Sequence, residues 1–452
     1  MREFDRTVPP GAPGNGARPP EKKRGAALTF QEYQELKSSV HRDFINKVDL
    51  EKVANARDSR TRAQVFAVVQ DLVENLKSPM SAAEKDRLSR EVLDEVFGLG
   101  PLEPLLQDPR VNDILVNGAK NIYVERNGIL ERTPTMFKDN AHLMHIIERI
   151  VSAVGRHVDE SSPMVDARLE DGSRVNVIIP PLAIDGPQLS IRRFGHSTVT
   201  EHDLLSKQTL TLGMMELLRG AVKARLNIVI SGGTGAGKTT LLNILSGHIS
   251  DKERIVSIED SAELQLHQSH VVRLECRPAN VEGRGAIMQR QLLINSLRMR
   301  PDRIIIGEVR GEEALDMLQA MNTGHDGSMT TIHANSPHDA IARMETMALM
   351  ANISLSERAI RRQIASAISI VVQVSRFADG TRRLTHISEI TGVTMESITM
   401  QDIFVFEQEG VSAEGRVVGS FAATGIRPKF AEKLKASGIH LPPNIFEPTV
   451  HA

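Results

Sequence analysis

Asn227-Ile-Val-Ile-Ser231 runs into Gly232-Gly233-Thr234-Gly235-Ala236-Gly237-Lys238-Thr239, and Thr240-Leu-Leu-Asn-Ile-Leu245 follows at once. The middle octet is G-x-x-x-x-G-K-[ST] in full, set between an apolar strand and a helix, the context that gives the pattern its meaning. Each residue type answers a demand of a polyphosphate. Glycines let the backbone turn its N–H groups inward, and the start of the helix adds partial positive charge. Lys238 brings a cation to the β- and γ-phosphates, and Thr239 offers a hydroxyl to Mg²⁺. The expected nucleotide contacts are Gly233, Thr234, Gly235, Ala236, Gly237, Lys238, Thr239 and Thr240.

Working outward from this loop, short apolar runs recur at Arg254–Ile258, Arg303–Ile306, Ser328–Ile332 and Ile370–Val374, separated by helical stretches. Such runs suit strands buried on both faces of a largely parallel sheet, so the fold class is α/β. Ligands on such sheets sit outside the carboxyl ends of the strands, and three runs end in polar residues. Arg303-Ile-Ile-Ile-Gly307-Glu308 places a glycine where a strand-end Asp is usual and an acid just after it. Glu308 is the candidate both for Mg²⁺, partly through water, and for the attacking water. Glu259, ending Arg254-Ile-Val-Ser-Ile-Glu259-Asp260-Ser-Ala-Glu263, is the second candidate general base, and Asp260 and Glu263 suit a turn cap. His333 ends a third run in the box His325-Asp-Gly-Ser-Met-Thr-Thr-Ile-His333, where it could sense the γ-phosphate.

The half of the chain before the loop reads differently. Residues 1–27 are rich in Pro and Gly with a Glu-Lys-Lys-Arg run, a composition with too little apolar surface to order itself. Residues 28–97 are helical: Val65, Val68, Val69, Leu72 and Leu76 share one spacing, Ser81 with Glu84 makes a capping box, and Leu88, Val92, Val96 and Phe97 form the next face. Gly98-Leu-Gly-Pro101 marks a boundary. Residues 98–206 alternate hairpins with one amphipathic helix (Leu143, Ile146, Ile147, Ile150, Val154), an α+β domain, before the nucleotide domain of 207–452. Two-residue turns are expected at Asn127-Gly128 and Asp171-Gly172. The second would pair Leu169 with Arg174 and set Arg168 and Arg174 on opposite faces.

Bulk properties narrow the function classes. A net charge of −2 and 3% aromatic residues, with no Trp, argue against a protein that coats nucleic acid. One cysteine, Cys276, cannot form an internal disulfide. No run approaches the roughly 18–20 apolar residues of a membrane span, and no apolar stretch backs the charged N-terminus as in a secretory signal. A cytoplasmic protein without direct membrane insertion is the expectation.

Taken in order, the phosphate loop, the Glu259-Asp260 box, the Gly-Glu motif and the two-histidine box resemble the secretion ATPase superfamily of type II secretion, type IV pilus and type IV secretion motors (GspE- and VirB11-like). Gly98-Leu-Gly-Pro-Leu-Glu-Pro-Leu-Leu, Val111-Asn-Asp-Ile-Leu-Val-Asn-Gly118 and Asp171-Gly-Ser-Arg-Val-Asn176 are similar to the CpaF family of tight-adherence (Tad/Flp) pilus ATPases. The resemblance implies a RecA-like ATPase domain behind a PAS-like N-terminal α+β domain. It further implies ATP and Mg²⁺ as cofactors, a homohexamer, an inner-membrane platform as partner, no specific nucleic acid, and recruitment to the inner face of the membrane. It implies arginines of the N-terminal domain on the γ-phosphate, here among Arg168, Arg174, Arg192 and Arg193, with Arg174 favoured and Arg192 or Arg193 beside it. A nucleic-acid motor and a non-hydrolysing ATP-binding regulator are the alternatives. DNA-stimulated turnover would identify the first, and indifference to loss of Glu259 or Glu308 the second.

Overall fold

The computed structural model describes residues 29–47, 59–76, 78, 80–126, 129–194, 199–279, 284–351, 355–394 and 396–448. The Pro- and Gly-rich tail and the Asn127-Gly128 turn lie outside the described residues. The chain divides into two compact units, Met1–Pro104 and Leu105–Ala452, so the α+β segment and the phosphate-loop segment belong to one unit.

The first unit holds helices α1 (Phe30–Lys47), α2 (Ser59–Glu74) and α3 (Ala82–Phe97). Their apolar stripes meet in a core of Val40, Phe44, Val65, Val69, Val73, Leu88 and Val92. Val68, expected on the inner face, turns outward at 38% exposure. Ser81 and Glu84 form the expected capping box, the Ser81 N–H donating to Glu84 Oε2 at 2.7 Å.

The second unit opens with a six-stranded antiparallel sheet: β1 (Val111–Asn117), β2 (Ile122–Arg126), β3 (Ile129–Arg132), β4 (Met164–Arg168), β5 (Arg174–Ile178) and β6 (Gln188–Arg192), in the order β3-β2-β1-β6-β5-β4. Helix α4 (Asn140–Ala153), capped by the Asp139 carboxylate, buries Leu143, Ile146, Ile147, Ile150 and Val151.

The β4–β5 hairpin corrects the expected register. Its loop has three residues, not two: the Leu169 N–H donates to Ser173 O, the Gly172 N–H donates to Leu169 O, and Gly172 takes φ +90°. This is a type I turn closed by a left-handed glycine. Asp171 stabilises it by accepting from the Ser173 N–H at 2.8 Å and the Ser173 hydroxyl at 2.8 Å. Arg168 therefore pairs directly with Arg174, and the two side chains share a face.

The second sheet has nine strands in the order β15-β14-β13-β12-β7-β11-β10-β8-β9. β7 (Ile228–Gly232), β8 (Ile255–Glu259), β9 (Val271–Glu275), β10 (Arg303–Ile306), β11 (Met329–Ile332) and β12 (Ile370–Arg376) run parallel. Strand alternation divides the burial between two cores. Ile228 and Ile230 join one with helices α5 (Leu212–Lys223) and α6 (Lys238–Ser246). Val229, Val256 and Ile258 join the other, with α7 (Gln289–Ser296), α8 (Glu313–Asn322), α9 (Pro337–Met350) and α10 (Glu357–Ala367). Beyond β12, where the sequence reading assigned no element, β13 (Arg382–Val393), β14 (Ile398–Val411) and β15 (Val417–Ala423) add an antiparallel meander.

At the amino end of β10, Arg303 is fully buried. It forks onto Glu253 at 2.7 and 3.1 Å and donates to the carbonyls of Val222 and Gly327. A buried charge persists only when its hydrogen bonds are met this completely.

Candidate active site

β7 delivers the chain into the loop Gly233–Gly237 and out into α6; close packing explains the glycine that ends β7, and backbone conformation the one that starts α6. A Cβ on Gly232 would lie 2.3 Å from the Val374 carbonyl oxygen, so β12 leaves no room for a side chain. Gly237, at φ +100°, is the left-handed residue from which α6 starts. Lys238 is buried and its ammonium donates to the Gly233 carbonyl at 2.9 Å. Burial lowers its pKa, with Glu308 acting the other way. The loop thus combines a helix N-terminus, turned-in backbone and a buried cation, the donor set that fits a polyphosphate.

The carboxyl ends of β8, β10 and β11 carry three expected residues to one sheet edge, where His333 and Glu308 gather at Lys238 and Glu259 packs against Gly307. His333 follows β11, and its two ring nitrogens lie 3.3 and 3.4 Å from Lys238 Nζ. His333 Nε2 is 2.8 Å from Glu308 Oε1. Burial and then Lys238 lower the imidazole pKa, favouring the neutral ring. The other carboxylate oxygen of Glu308 accepts from Arg310 Nη2 at 2.7 Å, and Arg310 also reaches Asp260 at 2.9 Å. Glu308 is thereby held by the guanidinium through one oxygen, while the other lies against the imidazole without hydrogen-bond geometry.

Glu259 is 3% exposed. Its Oε2 accepts from the backbone N–H groups of Glu263 (2.7 Å) and Leu264 (2.9 Å), while Oε1 is buried with no hydrogen-bond partner. Burial raises its pKa, against the pull of those two N–H donors. The turn cap expected of Asp260 and Glu263 is therefore supplied by Glu259. Gly307 makes room: a Cβ there would sit 3.1 Å from Glu259 Cγ. His325, the other histidine of its box, instead meets the Ala320 carbonyl at the end of α8, at 3.2 Å.

The antiparallel sheet faces α6 across a cleft of ≈ 200 Å³ lined by Arg168, Arg174, Arg192, Thr239, Thr240 and Glu263, among others. Arg168, Arg174 and Arg192 are successive cross-strand partners, so they form one row. Their environments differ. Arg168 donates to Glu275 Oε2 at 2.6 Å and to the Ala262 carbonyl at 3.1 Å. Arg192 bonds Asp113 at 3.2 Å. Arg174 is exposed and makes no hydrogen bond or ion pair among the described residues. Arg193 points its Nη1 at the backbone carbonyls of Asp108 and Val111, a structural use that leaves Arg174 and Arg192 as the cations open to a ligand.

Two further arginines escaped the sequence reading. Arg376 and Arg382 are cross-strand partners at the β12–β13 turn, and Arg382 Nε donates to the Gly235 carbonyl at 2.9 Å. Only the pairing of β13 carries Arg382 back to the loop, so nothing in the spacing of 147 residues signals it.

Comparison with known proteins gives a consistent picture. Residues 95–414 match the family model for type II/IV secretion system protein. A putative conjugal transfer protein of Mycobacterium tuberculosis is 39% identical over 305 residues, 66% of this chain and 86% of the relative. The conjugal transfer protein TrbB of Rhizobium radiobacter is 32% identical, covering 64% of this chain and 86% of the relative. The type IV secretion system protein VirB11 of Brucella suis is 31% identical, over 65% and 89%. The solved VirB11 ATPase of Brucella suis, in complex with sulphate, aligns with 28% identity over 64% of this chain and 95% of that one, at a TM-score of 0.36.

Proposed function

This chain belongs to the type II/IV secretion system protein family, and on that premise we propose that it is a hexameric, Mg²⁺-dependent ATPase that drives assembly of a Tad/Flp-type pilus. The observation that carries the ATPase reading is the meeting of a complete phosphate loop with Glu308, Glu259 and His333 at one sheet edge, under an arginine row. In this reading Lys238 and the loop N–H groups hold the β- and γ-phosphates. Thr239 and Glu308 would hold Mg²⁺, the latter partly through water, and the ion would supply charge against the phosphate oxygens. Among the described residues no group of three or more His, Cys, Asp or Glu could hold a metal ion.

Glu308 orients the water whose oxygen attacks the γ-phosphorus, Glu259 assists as base, and the γ–β bridging bond breaks to leave ADP and phosphate. His333 reads the γ-phosphate. Arg174 and Arg192 stabilise the charge that develops on it, so that closure of the antiparallel sheet over the nucleotide accompanies turnover.

The pilus assignment draws on the three N-terminal stretches that are similar to CpaF proteins. An inner-membrane platform would then convert the domain motion into pilin movement, with the motor at the cytoplasmic face and retraction as a possible second stroke. No helix among the described residues is long and apolar enough to cross a membrane. The names of the conjugal transfer and VirB11 relatives favour a second reading, a motor for type IV-like secretion or DNA transfer. Cells carrying Glu308→Gln at unchanged protein level separate the two. Loss of surface pili supports pilus assembly. Normal pili with lost export or DNA transfer supports the second reading.

A further inference from the structure

Arg168 is the one member of the arginine row that is bound to the nucleotide domain. Its guanidinium spans two acceptors there, Glu275 Oε2 at the end of β9 and the carbonyl oxygen of Ala262. That carbonyl belongs to the same peptide group as the Glu263 N–H, which donates to Glu259 Oε2 at 2.7 Å. One peptide therefore receives a hydrogen bond from the antiparallel sheet and passes one on to the buried carboxylate. Polarisation of a peptide at its oxygen strengthens its N–H as a donor, and hydrogen bonds in such chains reinforce one another. Glu275 is also the register partner of Glu259 across β8 and β9, so both ends of the Arg168 fork meet the immediate support of that acid.

We propose that Arg168 is a positioning residue, which fixes the Glu259 carboxylate through the Ala262–Glu263 peptide and so couples the seating of the antiparallel sheet to the orientation of an acid in the nucleotide site. This rests on the ATPase reading for its catalytic consequence, but not for the hydrogen-bonded chain itself. It gives Arg168 a task different from that of Arg174 beside it. The side chain is one-third exposed, with 34% of its surface open, so its replacement should leave the fold intact.

The test uses the full-length protein without nucleotide. Amide hydrogen exchange is followed by mass spectrometry for peptides covering residues 259–266. Arg168→Gln should speed exchange there by about threefold or more, Glu259→Gln should do the same, and the double variant should add nothing further. Glu275→Gln, which leaves the Ala262 contact in place, should have the smaller effect. In steady-state ATP turnover, Arg168→Gln should lower kcat by about tenfold with KM held within about twofold, and Arg168→Lys should restore part of it. Unchanged exchange at 259–266, or exchange effects that multiply in the double variant, would overturn the proposal. So would a raised KM with kcat unchanged, which would mark Arg168 as a substrate contact instead. If the wild type hydrolyses no ATP, the ATPase reading fails while the exchange measurements still decide the fate of the peptide link.

Discussion

The two walls of the cleft are built on opposite plans. On the phosphate-loop wall, side chains are buried or half-buried and anchored: Lys238 on the Gly233 carbonyl, Glu259 on two backbone N–H groups, Glu308 on Arg310, and His333 beside Lys238. On the opposite wall, Arg174 and Arg192 stand exposed on adjacent strands, Arg174 aligned by β-sheet register alone and Arg192 bonded once, to Asp113. One wall is prepared in advance, and its groups lose little freedom when a phosphate arrives. The other presents exposed charge, with Arg174 making no hydrogen bond or ion pair among the described residues. The motor proposed above would need this asymmetry, because a site rigid on both sides would have no stroke.

The prepared wall should be the more sensitive to substitution. Lys238→Ala should reduce ATP turnover by on the order of a thousandfold, since it removes a preset cation from the transferring group. Phosphate release at saturating nucleotide checks this. A loss of only a few-fold would mean that the wall is less organised than its hydrogen bonds indicate.

The foundations of that wall come next. Gly327→Ala should destabilise the protein by about 3 kcal/mol or more, because overpacking against a buried group is among the costliest single changes. The added Cβ would lie 1.9 Å from Arg303 Nη1 at a φ of +81°. Gly324→Ala, with a φ of +100° but nothing within 4 Å, should cost only about 1 kcal/mol in backbone strain. Denaturant unfolding of the two variants side by side separates crowding from backbone conformation. Equal losses would show that the Arg303 cradle yields.

The smallest effect belongs to neither wall. Ser81→Ala removes the capping box of α3 and should cost the helical unit about 1 kcal/mol. Turnover per folded molecule should stay as it was. A changed turnover would tie the helical unit to the chemistry.

The same asymmetry explains what could be read from the sequence. The phosphate loop is local, so eight consecutive residues disclosed its conformation and its ligand class. Glu259, Glu308 and His333 were equally accessible, because each ends an apolar run and parallel strands end at one edge. The arginine row was not. Asp171-Gly172 carries the signal of a two-residue turn, yet the Asp171 bonds to Ser173 favour the three-residue loop. That one extra residue moves Arg168 to the face of Arg174. Arg310 and Arg382 were missed for a related reason: the reach of Arg310 to Asp260 and of Arg382 to the Gly235 carbonyl is fixed by tertiary packing that no periodicity encodes. The meander beyond β12 escaped because its strands mix charged residues with apolar ones, as in Arg382-Arg-Leu-Thr-His-Ile-Ser-Glu-Ile.

The claim that the exposed wall serves the chemistry is tested most directly by ATP turnover and ADP binding of purified Arg174→Ala, with Arg193→Ala as the companion. The account expects Arg174→Ala to lose about tenfold or more in kcat while ADP affinity is kept, and expects Arg193→Ala, whose guanidinium serves backbone carbonyls, to affect stability alone. Undiminished turnover in Arg174→Ala would contradict it, and would leave the antiparallel sheet as a cover with no part in catalysis.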